Sequence, residues 1–99
     1  MQEKMGRDSL ERSVIRDQAE WNGWRGVLVL TEERLRFERA ALPPGNFIVC
    51  FDLPVTEIDS EVQRFPRKHL ACTFRAQSYA IKVKNPDEWM KMLNVLRGR

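Results

Sequence analysis

The chain has 99 residues, of which 42% are hydrophobic and 31% are charged, and its formal net charge is +3 at pH 7. This length leaves room for one core and excludes a second domain of ordinary size, and the hydrophobic content argues against a disordered chain. The longest apolar run, residues 27–30, is too short to cross a membrane, and two cysteines cannot form a disulfide scaffold. We expect one cytoplasmic domain over residues 13–99 with reduced cysteines, preceded by a lead over residues 1–12 that is a short helix or disordered.

The charges are unevenly distributed along the chain. Residues 32–62 contain seven carboxylates and three arginines, whereas residues 63–86 contain six cations and no carboxylate. The six cations are Arg64, Arg67, Lys68, Arg75, Lys82 and Lys84. In the preferred interpretation they pair with the acids of residues 32–62 across a sheet. In the alternative they form a basic surface for an anionic partner.

The first third of the chain predicts a β-hairpin. Asn22-Gly23 is the strongest short hairpin signal, which places a first strand at about Ser13–Trp21 and a second over residues 25–30. A helix from Asp8 through Arg16 is the competing interpretation of the N-terminal part. Trp21 and Trp24 flank the turn as a cross-strand pair, and an exposed pair at this tip would be a candidate interface with a lipid or a protein.

Three further strands are predicted in the middle of the chain. Leu35 and Phe37 alternate with charged residues, as in a half-buried strand. Two prolines and a glycine make residues 41–46 a loop. Residues 47–51 are apolar throughout and are expected to form a buried strand, and a weaker strand follows at about residues 56–63.

Two strands and a helix complete the chain. Alternating apolar residues predict strands over residues 69–75 and 79–84 with a turn at Ala76-Gln77, and this parity puts Arg75, Lys82 and Lys84 on the outer face. Asn85-Pro86-Asp87-Glu88 has the spacing of a capping box before an apolar stripe that begins at Trp89, and Arg97-Gly98 ends the helix. We therefore expect a mainly β fold, a partly open barrel of about seven antiparallel strands capped by a C-terminal helix with Trp89 in the core.

Residues 26–37, GVLVLTEERLRF, resemble the G-x-L-x-L-T-x-x-x-L-x-F pattern of GRAM and related bacterial pleckstrin-homology-like domains. Residues 53–58, LPVTEI, look like the strand that follows in those domains, and the Trp89 helix is similar to their terminal helix. The resemblance covers about residues 13–97. It implies a binding scaffold, which takes membrane phosphoinositides in some members and peptides or proteins in others. Phosphoinositide-binding members carry Lys and Arg around the first hairpin loop, where this chain has Trp21-Asn22-Gly23-Trp24.

The sequence offers little catalytic chemistry. His69 is the only histidine, Cys50 and Cys72 fall in predicted strands, and strand parity points His69 and Cys72 to opposite faces. We therefore predict no enzyme, no cofactor, no metal site and no small-molecule substrate.

The preferred function is a non-catalytic interaction module that binds a protein partner or self-associates. The alternative is peripheral binding to anionic membrane lipid through the six cations. Nucleic-acid binding ranks last, because parity turns Phe74 and Tyr79 inward and leaves no aromatic platform beside the cations.

Overall fold

Seven β-strands and one helix make up residues 13–41 and 43–98, the part of the chain that the computed structural model describes. The elements are β1 (Ser13–Trp21), β2 (Trp24–Thr31), β3 (Arg34–Ala41), β4 (Asn46–Pro54), a 3-10 turn (Val55–Glu57), β5 (Asp59–Gln63), β6 (His69–Phe74), β7 (Gln77–Val83) and α1 (Pro86–Leu96). The strand predicted at Ser13–Trp21 is confirmed, and the alternative of a helix continuing through Arg16 is wrong. The predicted lead over residues 1–12 lies outside the described residues.

The strands form one antiparallel sheet in the order β4-β3-β2-β1-β7-β6-β5. β1 is the central strand: it pairs with β2 along its length, and its last three residues also pair with β7. β1 therefore joins the two halves of the sheet, and α1 packs against β5, β6 and the 3-10 turn. The predicted fold, a partly open barrel of seven antiparallel strands capped by a C-terminal helix, is confirmed.

Local chemistry explains the tight connections. Asn22 and Gly23 have φ of 55° and 84°, the left-handed pair that a two-residue hairpin turn needs. At the turn between β2 and β3, the hydroxyl oxygen of Thr31 accepts hydrogen bonds from the backbone N–H groups of Arg34 at 2.9 Å and Glu33 at 3.3 Å. The threonine of the quoted sequence pattern therefore fixes this turn.

Gly26, the glycine of the same pattern, lies in β2 directly against the backbone of β3. A Cβ at this position would meet the backbone carbonyl oxygen of Glu38 at 2.2 Å and the ring of Phe37 at 2.9 Å. Only a residue without a side chain allows this approach, so the glycine is required by backbone packing.

The core lies between the inner face of the sheet and α1. Its largest fully buried side chains include Trp89, Phe37 and seven aliphatic residues: Leu28, Leu30, Leu35, Leu70, Ile81, Leu93 and Val55. The predicted burial of Trp89 is thus confirmed.

The two ends of α1 differ in how they are capped. At the N-terminal end Asn85 occupies the N-cap, but its side chain makes no capping hydrogen bond, so the predicted capping box is wrong. At the C-terminal end the Arg97 guanidinium donates from Nη1 to the Ile58 carbonyl at 3.0 Å and from Nη2 to the Ser60 hydroxyl. Arg97 therefore ties the end of the helix to the start of β5.

Candidate functional site

Five of the six predicted cations lie at one end of the β5–β6–β7 half of the sheet. The register pairs Gln63 with His69 and Leu70 with Ile81, which brings the loop of residues 64–68 beside the last residues of β7. Three of these cations are in the loop, one is in β7 and one follows β7. The five residues, all exposed, are Arg64, Arg67, Lys68, Lys82 and Lys84. We call these five residues the basic surface. The parity prediction for Lys82 and Lys84 is confirmed, since both are exposed while Val83 between them packs against the core.

Arg75, the sixth cation, lies elsewhere. It occupies the turn between β6 and β7 with a φ of 52°, followed by Ala76 at 66°. The predicted placement of Arg75 on the outer face of a strand is therefore wrong, and the turn begins one residue earlier than expected. Because β7 rises about 3.4 Å per residue, the turn lies about 17 Å from Lys82. The Arg75 guanidinium instead lies 5.0 Å from the centre of the Phe74 ring.

The basic surface retains an excess of positive charge. The Lys68 ammonium pairs with the Asp87 carboxylate, and Lys82 Nζ lies 3.8 Å from Glu20 Oε2. Within residues 13–41 and 43–98, the side chains of Arg64, Arg67 and Lys84 form no ion pair. Five cations thus face two paired carboxylates.

The preferred sequence interpretation, that acids of residues 32–62 neutralise these cations, is wrong. Acids from that segment pair with arginines of the same segment. Arg34 Nε lies 2.8 Å from Asp52 Oδ1, and Arg36 Nε lies 3.1 Å from Glu38 Oε2. The partners of Lys68 and Lys82 come from α1 and β1 instead, because strand order and helix packing decide which charges meet.

A cleft of about 480 Å³ opens on the basic surface and is lined by Pro66, Arg67, His69, Ala80 and Lys82. We call it the basic cleft. The Nδ1 atom of His69 lies 2.7 Å from the carbonyl oxygen of Arg67, so Nδ1 carries the hydrogen and donates it. This bond fixes the imidazole against the loop. Guanidinium, ammonium and imidazole groups at one opening suit an anion that accepts several hydrogen bonds.

A second groove, of about 630 Å³, adjoins the basic cleft and shares Lys82 with it. It crosses the outer face of the sheet from β7 to β4. Its cations are Lys82, Lys84 and Arg25; its other lining residues include Glu20, Glu38, Val27 and Phe47. Positive charge therefore continues from the basic cleft along β7, and the β3–β4 side of the groove is lined by Glu38, Ala40 and Phe47.

The two hairpin tryptophans differ in exposure. Trp21 and Trp24 are register partners, as predicted. The Trp21 ring packs on Phe51 with ring centres 5.2 Å apart and also contacts Phe37 and Tyr79. Trp24 is 48% exposed, and the Arg39 guanidinium lies 4.0 Å from the centre of its ring. Trp24 is therefore the accessible member of the candidate pair.

The prediction that residues 47–51 are buried is wrong for three of them. Phe47 is 62% exposed, Ile48 41% and Val49 50%, whereas Phe51 is buried. The register shifts between Phe37 and Glu38, which leaves Cys50 as an extra residue in β4, and the preceding part of the strand extends along the sheet edge. An apolar run alone does not reveal an edge position, so sequence reasoning missed this surface.

Other chemistry is sparse among the described residues. They contain no group of three or more potential metal ligands, and none of their helices has the length and hydropathy to cross a membrane. Cys50 and Cys72 are free thiols. Burial raises the pKa of the Cys72 thiol to about 12, although Arg97 opposes the shift, so this cysteine is not an activated nucleophile.

Comparison with solved structures identifies the architecture. The pleckstrin-homology domain of Slm1, in complex with inositol 4-phosphate, superposes with a TM-score of 0.64 at 13% identity over 87% of this chain and 96% of that one. The chain has a pleckstrin-homology-like fold. A chain from a systematic screen for protein–lipid interactions in Saccharomyces cerevisiae superposes equally well on this pleckstrin-homology-like domain, with a TM-score of 0.64 at 15% identity over 88% of this chain and 97% of that one.

A second Slm1 pleckstrin-homology complex, with D-myo-inositol 4-phosphate, gives a TM-score of 0.58 at 15% identity over 86% of this chain and 92% of that one. No protein-family model matches the sequence, and a search of curated proteins finds no significant relative.

Proposed function

We propose that this pleckstrin-homology-like domain is a non-catalytic module that binds anionic lipid head groups of the inositol phosphate class at the basic cleft. The observation that carries the proposal is the convergence of Arg67, His69 and Lys82 on one opening. The Slm1 complexes with inositol 4-phosphate support it, because they pair the same fold with this ligand class. The comparisons thus favour a lipid over a protein partner.

The chemistry of the basic cleft fits a phosphorylated polyol. The planar guanidinium of Arg67 can hold a phosphate through two parallel hydrogen bonds, and the Lys82 ammonium adds a mobile positive charge. A cleft of about 480 Å³ falls in the usual range for small-ligand sites. Since Arg64, Lys68 and Lys84 belong to the same basic surface, a head group bound in the cleft would also bring these cations close to an anionic bilayer.

This proposal places the ligand away from the first hairpin loop. That loop offers Asn22 and Gly23 between two tryptophans, and its cations lie at Arg25 and Arg39. Arg39 covers the Trp24 ring, which leaves the turn without a group of free cations. The basic cleft is the better anion site on this chain.

The same proposal covers location and family. We infer peripheral attachment of a cytoplasmic protein, with residues 13–99 as the lipid-binding unit and no cofactor. The likeness of residues 26–37 to GRAM and bacterial members remains a prediction about subfamily. Nucleic-acid binding stays ranked last, since Tyr79 is buried and Phe74 packs against the core.

Vesicle co-sedimentation tests the proposal. The protein is mixed with vesicles of phosphatidylcholine alone, with added phosphatidylserine, or with added phosphatidylinositol 4-phosphate, at roughly 0.05 M and 0.5 M NaCl, because salt screens exposed charges. We expect binding to phosphatidylinositol 4-phosphate vesicles that falls with salt and is displaced by soluble inositol 4-phosphate. Equal sedimentation with all three vesicles, or with none, would contradict it.

A further inference from the structure

The exposed part of β4 is a sheet edge that carries neither charge nor proline. β4 is the first strand in the sheet order, and within the described part of the chain it pairs only with β3. Its residues 46–51 include no charged side chain and no proline, and Phe47, Ile48 and Val49 are 62%, 41% and 50% exposed. Natural edge strands usually carry charge or proline against pairing with another chain. This edge lacks both along six residues.

The opposite edge has the usual protection. β5 has only five residues and carries Asp59 and Glu61, both exposed. Two copies of β5 paired antiparallel around their middle residue would put Glu61 against its own copy, and like charges directly opposite destabilise a sheet. The contrast between the edges makes β4 the one suited to pairing.

The chemistry of the edge selects a strand as its occupant. An edge strand presents unpaired backbone N–H and C=O groups beside its side chains. Inserting β4 into a bilayer would leave those groups without hydrogen-bond partners in the hydrocarbon, which is strongly unfavourable. A second strand satisfies them and covers the three apolar side chains at the same time.

We propose that two copies of this chain associate through antiparallel pairing of their β4 strands. A two-fold axis near Ile48 places the apolar, uncharged half of each strand against the same half of the other, so no like charges meet. Phe47 then lies on the same sheet face as the partner's Val49. The exposed side chains and edge backbone amount to roughly 300–400 Å² per copy, less than the ~800 Å² per partner of a standard interface, so the dimer is weak.

This association does not rest on head-group binding, because β4 contributes only Phe47 to the groove beside the basic cleft. A dimer would nevertheless carry two basic clefts. Two linked sites bind with higher avidity than one where both reach the surface.

Sedimentation equilibrium of the full chain, from about 10 µM to about 1 mM, tests the proposal over a range suited to weak complexes. We expect the wild-type mass to rise above the 11.7 kDa of the monomer with concentration. Val49→Lys should remain monomeric. The matched control is Val95→Lys, which adds the same charge at an α1 residue that is 59% exposed, and it should associate like the wild type.

Amide hydrogen exchange of the wild type supplies a second measurement that needs no variant. The backbone amides of residues 46–50 should exchange more slowly at high than at low protein concentration, while those of β5 should be unaffected. A wild type that stays monomeric throughout, or a Val49→Lys variant that associates normally, would overturn the proposal. So would loss of vesicle binding in Val49→Lys without any wild-type association, because β4 would then contact lipid.

Discussion

Removing the charges of the basic cleft should weaken binding to anionic vesicles by a predictable amount. A lysine or arginine close to an anionic leaflet contributes about 1 kcal/mol. Arg67 has no ion pair among the described residues, so its full contribution is available, whereas Glu20 at 3.8 Å partly neutralises Lys82. The double variant Arg67→Ala/Lys82→Ala should therefore lose about 1.5–2 kcal/mol, which corresponds to about 10- to 30-fold weaker partitioning.

Arg75→Ala is the matched control for Arg67→Ala. Both substitutions remove one exposed arginine from the same acid-free stretch, but Arg75 lies about 17 Å from Lys82 along β7. That separation exceeds the Debye length of about 10 Å at 0.1 M salt, so Arg75→Ala should change partitioning by about twofold at most. Co-sedimentation with phosphatidylinositol 4-phosphate vesicles gives both values. An Arg75→Ala loss as large as that of Arg67→Ala, or a double variant that binds normally, would refute the assignment of the cleft.

Three further predictions concern stability. Ala76→Gly should stabilise the domain by about 0.5–1 kcal/mol, raising Tm by a few degrees, because it relieves a left-handed alanine at a φ of 66°. Gly26→Ala should cost about 3 kcal/mol in urea unfolding, since its Cβ would meet the Glu38 carbonyl oxygen at 2.2 Å. Burial raises the pKa of the Cys72 thiol from 9.0 to about 12, so between these values the thiol ionises only in the unfolded chain. Cys72 should therefore lower the unfolding free energy by about 1.4 kcal/mol per pH unit between pH 9 and 12. Cys72→Ala should remove that part of the slope.

Each of these stability predictions has a result that contradicts it. The control Ala80→Gly, at an exposed residue within β7, should destabilise the domain. If Ala76→Gly destabilises the domain equally, the left-handed backbone of Ala76 carries no strain. A Gly26→Ala variant with wild-type stability would mean that β2 and β3 can move apart. An unchanged pH slope in Cys72→Ala would place that thiol in contact with solvent.

Much of the fold follows from local sequence signals. The two-residue turn requires left-handed backbone, which Asn22 and Gly23 adopt readily. Pro86 cannot continue a strand and so marks the start of the helix. The alternation of apolar and polar residues around Leu70 and Ile81 distinguishes core positions from surface positions. These features depend on a few neighbouring residues. The structure confirms them, including the register partnership of Trp21 with Trp24.

The failures arise from non-local contacts or from a missing local signal. Phe47 and Val49 belong to an apolar run, and only the strand order and the extra residue in β4 leave them exposed. The turn at Arg75 lacks the glycine or asparagine that usually marks left-handed turns, so its position was misplaced by one residue. The ion-pair partners of Lys82 and Lys68 lie on β1 and α1, far away in the sequence, and only the folded structure brings them together.

Titration of isotope-labelled protein with soluble inositol 4-phosphate, followed by amide chemical shifts, tests the central claim most directly. If the basic cleft is the head-group site, the shifts should concentrate at Arg67, His69 and Lys82 and saturate together. Shifts confined to Asn22 and Arg75, at the hairpin turns, would contradict the account. So would a spectrum that does not change at all.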